Sequence, residues 1–179
     1  MNSRPHHARA FPPIANRAAR VLVLGSLPGR ESLAQQQYYA HPRNSFWRIM
    51  GELYGAGPDL AYAQRSARLA AAGIALWDVL AQAERPGSLD AAILRHSERA
   101  NNFAVFLAAH PRLQLIVFNG ATAAVLFRRH ALPTLGAAAV ELPRVILPST
   151  SPAHAGISYA IKLQRWRAAL PPAASPRQA

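Results

Sequence analysis

Val21-Leu22-Val23-Leu24-Gly25-Ser26-Leu27-Pro28-Gly29 passes directly from a short apolar run into a turn of small residues. An apolar run without polar alternation, halted so abruptly, reads as a strand covered on both faces, the kind found in parallel sheets between layers of helices. Working outward, Ile74 to Trp77, Leu113 to Phe118 and Val145 to Leu147 repeat the pattern, each brief and each ending near a small or polar residue. The intervening segments carry helical periods. Phe46, Met50 and Leu53 follow Asn44, a good N-cap residue, and Tyr159, Leu163, Trp166 and Leu170 recur at the same spacing. Ser88 predicts the cap of a long helix running through Ile93 to Phe103, and Thr122 to Arg129 a shorter one. Strands alternating with helices imply right-handed crossovers and an α/β fold: a three-layer α/β/α sandwich around a short, mainly parallel four-stranded central sheet.

The 179 residues suffice for one such domain, expected over 19–170. Residues 1–18, rich in Arg, His and Pro, are expected to form a flexible basic segment, and 171–179 a flexible tail. No apolar run reaches the roughly 18 residues of a membrane span, and the start lacks a signal-peptide core, so a soluble cytoplasmic protein is expected. The absence of cysteine removes disulfides, thiolate metal sites and a cysteine nucleophile. The seven histidines form no HExxH or HxH pattern, so neither metal nor cofactor is expected. Twenty basic against eight acidic residues give a formal charge of +12. A polyanion such as nucleic acid is the matching partner, although an Ala- and Arg-rich composition has the same effect on charge. Lys162 is the only lysine, so nearly every cation is a guanidinium suited to bidentate phosphate contacts.

In a parallel sheet the ligand sits beyond the carboxyl ends of the strands. Here those ends are Gly25 to Gly29, Asp78, Asn119-Gly120 and Pro148 to Ser151. The first turn matches neither GxGxxG nor the P-loop, which leaves nucleotide-cofactor binding unsupported, and GxSxG is absent, which counts against a serine hydrolase.

Taken together, Gly25-x-x-Pro28-Gly29, then His41-Pro42-x-Asn44-x-Phe46-Trp47, Gly73 to Asp78, Phe118-Asn119-Gly120 and Leu147 to Ala153 resemble the uracil-DNA glycosylase superfamily, most closely its hypoxanthine-DNA glycosylase branch. The resemblance covers roughly residues 20–170. It implies a monofunctional glycosylase, acting as a monomer, that flips a deaminated base out of damaged DNA and leaves an abasic site. It also implies Asn44 as the residue that positions the attacking water, because Leu27 stands where better-known branches carry a water-orienting Asp or Asn. Asn44 as a helix cap alone is the competing reading.

The same resemblance implies a base site made by Gly25, Ser26, Leu27, Tyr39, Asp78 and Asn119. Tyr39 would stack on the base. Asp78, read as an ionised carboxylate that only accepts hydrogen bonds, suits the N1–H of hypoxanthine and rejects adenine; it also has Arg85 as a possible ion-pair partner. Asn119 either donates to a base carbonyl or caps the following helix. Pro28, Gly29 and the Ser149-Thr150-Ser151-Pro152-Ala153-His154 segment would contact the DNA backbone. The latter segment resembles the superfamily loop that pinches that backbone and inserts at the gap left by the flipped base, with His154 replacing an expected Asn. Lys162 falls in the last helix, away from the strand ends, and so is a poor candidate for Schiff-base chemistry. A uracil-preferring enzyme and an inactive DNA-binding relative are the rival readings.

Overall fold

A buried strand satisfies its backbone only by pairing with another, and the four apolar runs do so with one another. The computed structural model describes residues 6–173. In chain order the elements are β1 (His6–Arg9), β2 (Val21–Gly25), α1 (Arg30–Gln35), α2 (Phe46–Tyr54), α3 (Tyr62–Ala71), β3 (Ile74–Asp78) and β4 (Leu80–Arg85). There follow β5 (Arg99–Ala100), α4 (Phe103–Ala109), β6 (Leu115–Asn119), α5 (Ala121–Leu126), α6 (Ala137–Val140), β7 (Arg144–Leu147) and α7 (Tyr159–Ala169).

The main sheet has the order β3-β2-β6-β7, and every neighbouring pair is parallel. β2 is central and buried at every residue, as its unbroken apolar run requires. Its register sets Gly25 beside Asp78, while Asn119 pairs with Leu147, so the predicted site segments leave the sheet at one edge. Helices flank this sheet in an α/β/α sandwich, and two sets of rings pack them, the first against the sheet and the second against one another. Trp77 meets Phe103 and Phe106, and Phe127 meets Phe103 and Phe118. Phe46 meets Trp47 and Trp166, and Trp47 meets Tyr62.

Two expectations are corrected. Residues His6–Arg9 form an antiparallel strand against Arg85 to Gln82, and Ile14 exchanges backbone hydrogen bonds with Leu76 at 2.8 and 2.9 Å. This part of the basic segment is ordered by a sheet edge distant in sequence. Residues 1–5 and 174–179 lie outside the described range. The long helix from Ser88 is also absent. β4 and the short β5 complete a three-stranded antiparallel sheet with β1. Between β4 and β5 come Pro86 and Gly87, whose φ of 78° lies in the left-handed region, and single 3₁₀ turns at Asp90–Ala92 and Arg95–Ser97. The helix starts only at Phe103, where Asn102 accepts from Val105 N–H. The polar contacts of Arg85 and Asp90, described below, hold this stretch in a path that an amphipathic helix would not follow.

Candidate active site

The carboxyl ends of β2, β3, β6 and β7 open on a cleft of about 1120 Å³. Every residue predicted for the site lines it except Thr150, which is buried and acts as a tie between the walls.

Gly25, Asp78 and Tyr39 form the floor. A Cβ at Gly25 would collide with Asp78 Oδ1 and stand 2.8 Å from the Tyr39 hydroxyl, so glycine is needed here for space. Tyr39 adopts a left-handed backbone, φ 54°, which turns its ring onto Phe46 with 4.3 Å between centroids, while Tyr38 faces Phe11 and donates to its carbonyl. The Tyr39 hydroxyl and Asp78 Oδ2 are both buried, and neither has a hydrogen-bond partner among the described residues. Burial, reinforced by the nearby Asp90 and opposed by Arg85, pushes the Asp78 carboxyl up to about 8. Burial likewise pushes the Tyr39 phenol well above its ordinary value. At neutral pH Asp78 is therefore mostly a neutral acid. The expectation of an ionised acceptor is corrected, because the sequence contains no sign of how completely the carboxyl is enclosed.

Arg85, only 2% exposed, pairs with Asp90 rather than Asp78. Its guanidinium lies 3.3 Å from Asp90 Oδ1 and also donates to the Pro28 carbonyl, while Ser26 Oγ donates to Asp90 Oδ2 at 2.5 Å. Ser88 Oγ accepts from the Arg30 backbone N–H at 3.2 Å. The Gly25–Gly29 turn is thus tied through Ser26 to Asp90 and through Pro28 to Arg85, and Arg30 just beyond it is tied to Ser88. Arg85, buried, and Asp90, partly exposed, form an ion pair at this contact.

The other wall depends on Thr150. Asn119 Nδ2 donates to Thr150 Oγ1 at 2.8 Å, and Thr150 N–H donates to Asn119 Oδ1 at 2.8 Å. This clasp replaces the helix cap that Asn119 was free to form, since no side chain caps α5. It also fixes the amide: Oδ1 is held by a main-chain N–H, which leaves the second Nδ2 hydrogen as what Asn119 can offer the cleft. The Thr150 carbonyl accepts from Ser45 N–H at 3.0 Å and Ser45 Oγ at 3.3 Å, joining the His41–Trp47 segment to the same loop. Asn44 is half-buried at the cleft, and its Oδ1 accepts from Phe46 N–H at 3.0 Å just before α2. That bond uses one lone pair and leaves the other, together with both amide hydrogens, for a ligand.

Lys162 does not lie away from the strand ends. Its Nζ donates to the His154 carbonyl at 2.9 Å, and Trp166 Nε1 donates to the Pro148 carbonyl at 3.0 Å. α7 therefore holds both ends of the Ser149–His154 loop. The amine is buried and its pKa lowered by desolvation; it is a support for the loop, outside the cleft lining. Sequence reading missed Asp90, Ser45 and Ser88. Their only advance signal was proximity to turns, whereas Arg85 was legible as a partner for a carboxylate, though assigned to the other one.

The site is built from acids, amides and hydroxyls. Among the described residues no group of three or more His, Cys, Asp or Glu is placed to hold a metal ion, and no helix is long and apolar enough to cross a membrane.

The sequence pattern of the Uracil DNA glycosylase superfamily matches residues 12–170. Two proteins named hypoxanthine DNA glycosylase align over 113 residues, which is 63% of this chain and 70% of each relative. That of Methanosarcina barkeri is 38% identical and that of Methanosarcina acetivorans 41%. The fold also superposes on the solution NMR structure of a candidate uracil DNA glycosylase from Methanosarcina acetivorans, with a TM-score of 0.75 and 34% identity over 92% of this chain and 96% of that one.

Proposed function

Because the chain belongs to the uracil DNA glycosylase superfamily, we propose that it removes deaminated bases from DNA, hypoxanthine before uracil, by hydrolysis of the N-glycosidic bond. The observation that carries the choice of base is the Asn119–Thr150 clasp, whose Asn119 lines the same cleft as the neutral Asp78. Hypoxanthine presents O6 as acceptor beside N1–H as donor. Asn119, held donor-first, fits O6, and the carbonyl oxygen of a neutral Asp78 accepts from N1–H. Adenine places an amino group where Asn119 also donates, so two donors meet and one is left unpaired in a dry site. This discrimination no longer depends on an ionised Asp78, since a neutral carboxyl can itself donate to adenine N1.

A base within a duplex is out of reach, so the nucleotide must be extruded, at a cost of a few kcal/mol that is least for a mispaired or damaged base. Tyr39, seated on Phe46, supplies a ring at the cleft floor for the extruded base. Bond cleavage builds positive charge on the sugar and negative charge on the base. Asn44 Oδ1 places the water that attacks the sugar, and Asn119 donates to the base as its charge grows. With Asp78 neutral and Asp90 balanced by Arg85, the floor does not repel the departing anion. Lys162 is spent on the His154 carbonyl, so water is the nucleophile and an intact abasic site the product. All these residues come from one chain, consistent with a monomer, which we place in the cytoplasm with its DNA substrate.

The test is incubation of the purified protein with end-labelled duplexes carrying hypoxanthine, uracil, xanthine or adenine, followed by alkaline cleavage. Strand breaks should appear fastest with hypoxanthine and not with adenine. A faster uracil reaction would select the rival substrate, and intact strands in every sample would overturn the proposal.

Gly25→Ala is expected to displace Asp78 and Tyr39 together, lowering single-turnover excision at least about tenfold and stability by about 1–3 kcal/mol through overpacking. Denaturant melts and excision rates measured side by side check this. A variant that keeps wild-type rates would show that the floor does not contact the base.

A further inference from the structure

We propose that Arg43 and Arg165 form a two-point clamp for backbone phosphates of the lesion-bearing strand, so that the enzyme grips one strand of the duplex beside its cleft. This rests on the reading above that the cleft receives a base flipped out of DNA.

The basic and acidic side chains of the cleft walls are segregated. His41, Arg43, His154 and Arg165 lie on one wall, and Glu31 and Asp90 on the other. The hydrogen bonds of the walls impose this division. Ser45 bonds the Thr150 carbonyl, which brings the His41–Trp47 segment to the Ser149–His154 loop, and α7 holds that loop through Lys162 and Trp166. Glu31 stands in the first turn of α1, directly after the Gly25–Gly29 turn to which Asp90 is bonded through Ser26.

Arg43 and Arg165 are exposed. The ion pairs among the described residues are those of His7 with Glu84, Arg85 with Asp90, and Arg129 and His130 with Glu98, so neither cleft arginine is paired. Neighbouring arginines are engaged elsewhere: Arg48 lies over the Tyr159 ring at 4.0 Å and Arg65 over Trp47 at 4.8 Å. The two free guanidinium groups also stand on fixed backbone. Arg43 N–H donates to His41 Nδ1 at 3.1 Å, and Asn44 N–H donates to the His41 carbonyl at 2.8 Å. Arg165 stands on α7 between Lys162 and Trp166, the two residues that bind the loop.

A nucleotide extruded into the cleft stays joined to its strand by a phosphate on each side, and both must lie at the cleft mouth. A guanidinium donates two parallel bonds to phosphate oxygens, whereas the carboxylates of Glu31 and Asp90 repel them. The lesion strand therefore runs along the arginine wall. The complementary strand has no part in the clamp, so a single strand should be gripped by the same two arginines.

The test measures binding rather than chemistry. Full-length wild type, Arg43→Ala, Arg165→Ala and Arg112→Ala are titrated over a range of salt against a duplex holding a stable tetrahydrofuran abasic site, and against its lesion strand alone. Arg112 is likewise exposed, but it precedes β6 at the opposite end of the sheet and so controls for bulk charge. Removing either cleft arginine should make the slope of log affinity against log salt shallower by about 0.9 on the duplex and about 0.7 on the single strand. Arg112→Ala should leave both slopes unchanged, and all three variants should melt with wild type. Neutral methylphosphonates, placed one at a time along each strand, then locate the clamp. At one lesion-strand position wild type should bind more weakly while Arg43→Ala loses nothing further, and at a second position the same should hold for Arg165→Ala. Unchanged slopes, an equal change with Arg112→Ala, an effect of only one cleft arginine, or coupling to phosphates of the complementary strand would overturn the proposal. No base is excised in this assay, so it stands apart from the excision test. An active enzyme with unchanged slopes loses the clamp alone, and an inactive protein whose arginines couple to the lesion strand loses the excision reading alone.

Discussion

Asn44→Ala is expected to slow single-turnover excision by about a hundredfold, the range in which a positioned proton acceptor or water-orienting group contributes to a transition state. The same change removes the bond from Phe46 N–H to Asn44 Oδ1, and loss of such a local cap costs about 1 kcal/mol. For a domain of this size that lowers the melting temperature by only roughly 2–4 °C, so a loss of rate far beyond the loss of folded protein identifies a chemical role. Asn44→Ser separates the two further. A serine oxygen still caps α2 but is too short to hold a water deeper in the cleft, so stability should recover while the rate does not. Asn44→Asp retains both the oxygen and its reach and should restore much of the rate. If Asn44→Ser recovers stability and rate together, Asn44 is only a cap and the water must be placed by another group.

This ambiguity at Asn44 illustrates what was legible in the sequence. The four parallel strands were readable because Val21–Leu24 and its counterparts are apolar without alternation, a pattern that a sheet buried on both faces imposes. The turns at their ends were readable for the complementary reason, since small residues gather where backbone must approach a ligand. β1, β4 and β5 were not. His-His-Ala-Arg at 6–9 and Leu-Ala-Gln-Ala-Glu-Arg at 80–85 have no apolar stripe of their own, and their order comes from pairing with each other across more than seventy residues. Arg85 misleads in a related way: an arginine reads as surface, yet it lies inside, where Asp90 and the Pro28 carbonyl accept from its two terminal nitrogens. The residue types of the site could be named in advance, but which of two carboxylates would have the arginine depended on the path of the Pro86–Asp90 turn. That choice sets the charge state of the site.

Raising the pH above about 8 is expected to lower excision by about tenfold per unit, hence about a hundredfold near pH 10, as Asp78 loses its proton. The groups facing Asp78 determine the sign. Burial and Asp90 both favour its neutral form, Arg85 favours the ionised form but is engaged by Asp90, and the Tyr39 phenol is itself held protonated well above its ordinary range. Ionised Asp78 would add a net negative charge to the floor where the departing base becomes an anion, so deprotonation opposes the transition state. Stability follows the same proton. The folded pKa lies above the ordinary value of 3.8, so the folded state binds more protons than the unfolded state between these values. The contribution is complete below the lower value and is lost as pH rises through the upper one. Asp78→Asn retains size, neutrality and the ability both to donate and to accept. It should keep a substantial rate at pH 7, lose the protein's share of the alkaline fall and flatten this component of the stability profile. The substrate's own N1–H titrates equally with both proteins, so the ratio of wild-type to Asp78→Asn rates, followed from pH 6 to pH 10, isolates the carboxyl. A constant ratio would mean that Asp78 does not change charge during the reaction in this range, and the neutral-floor account of how the base departs would fail with it.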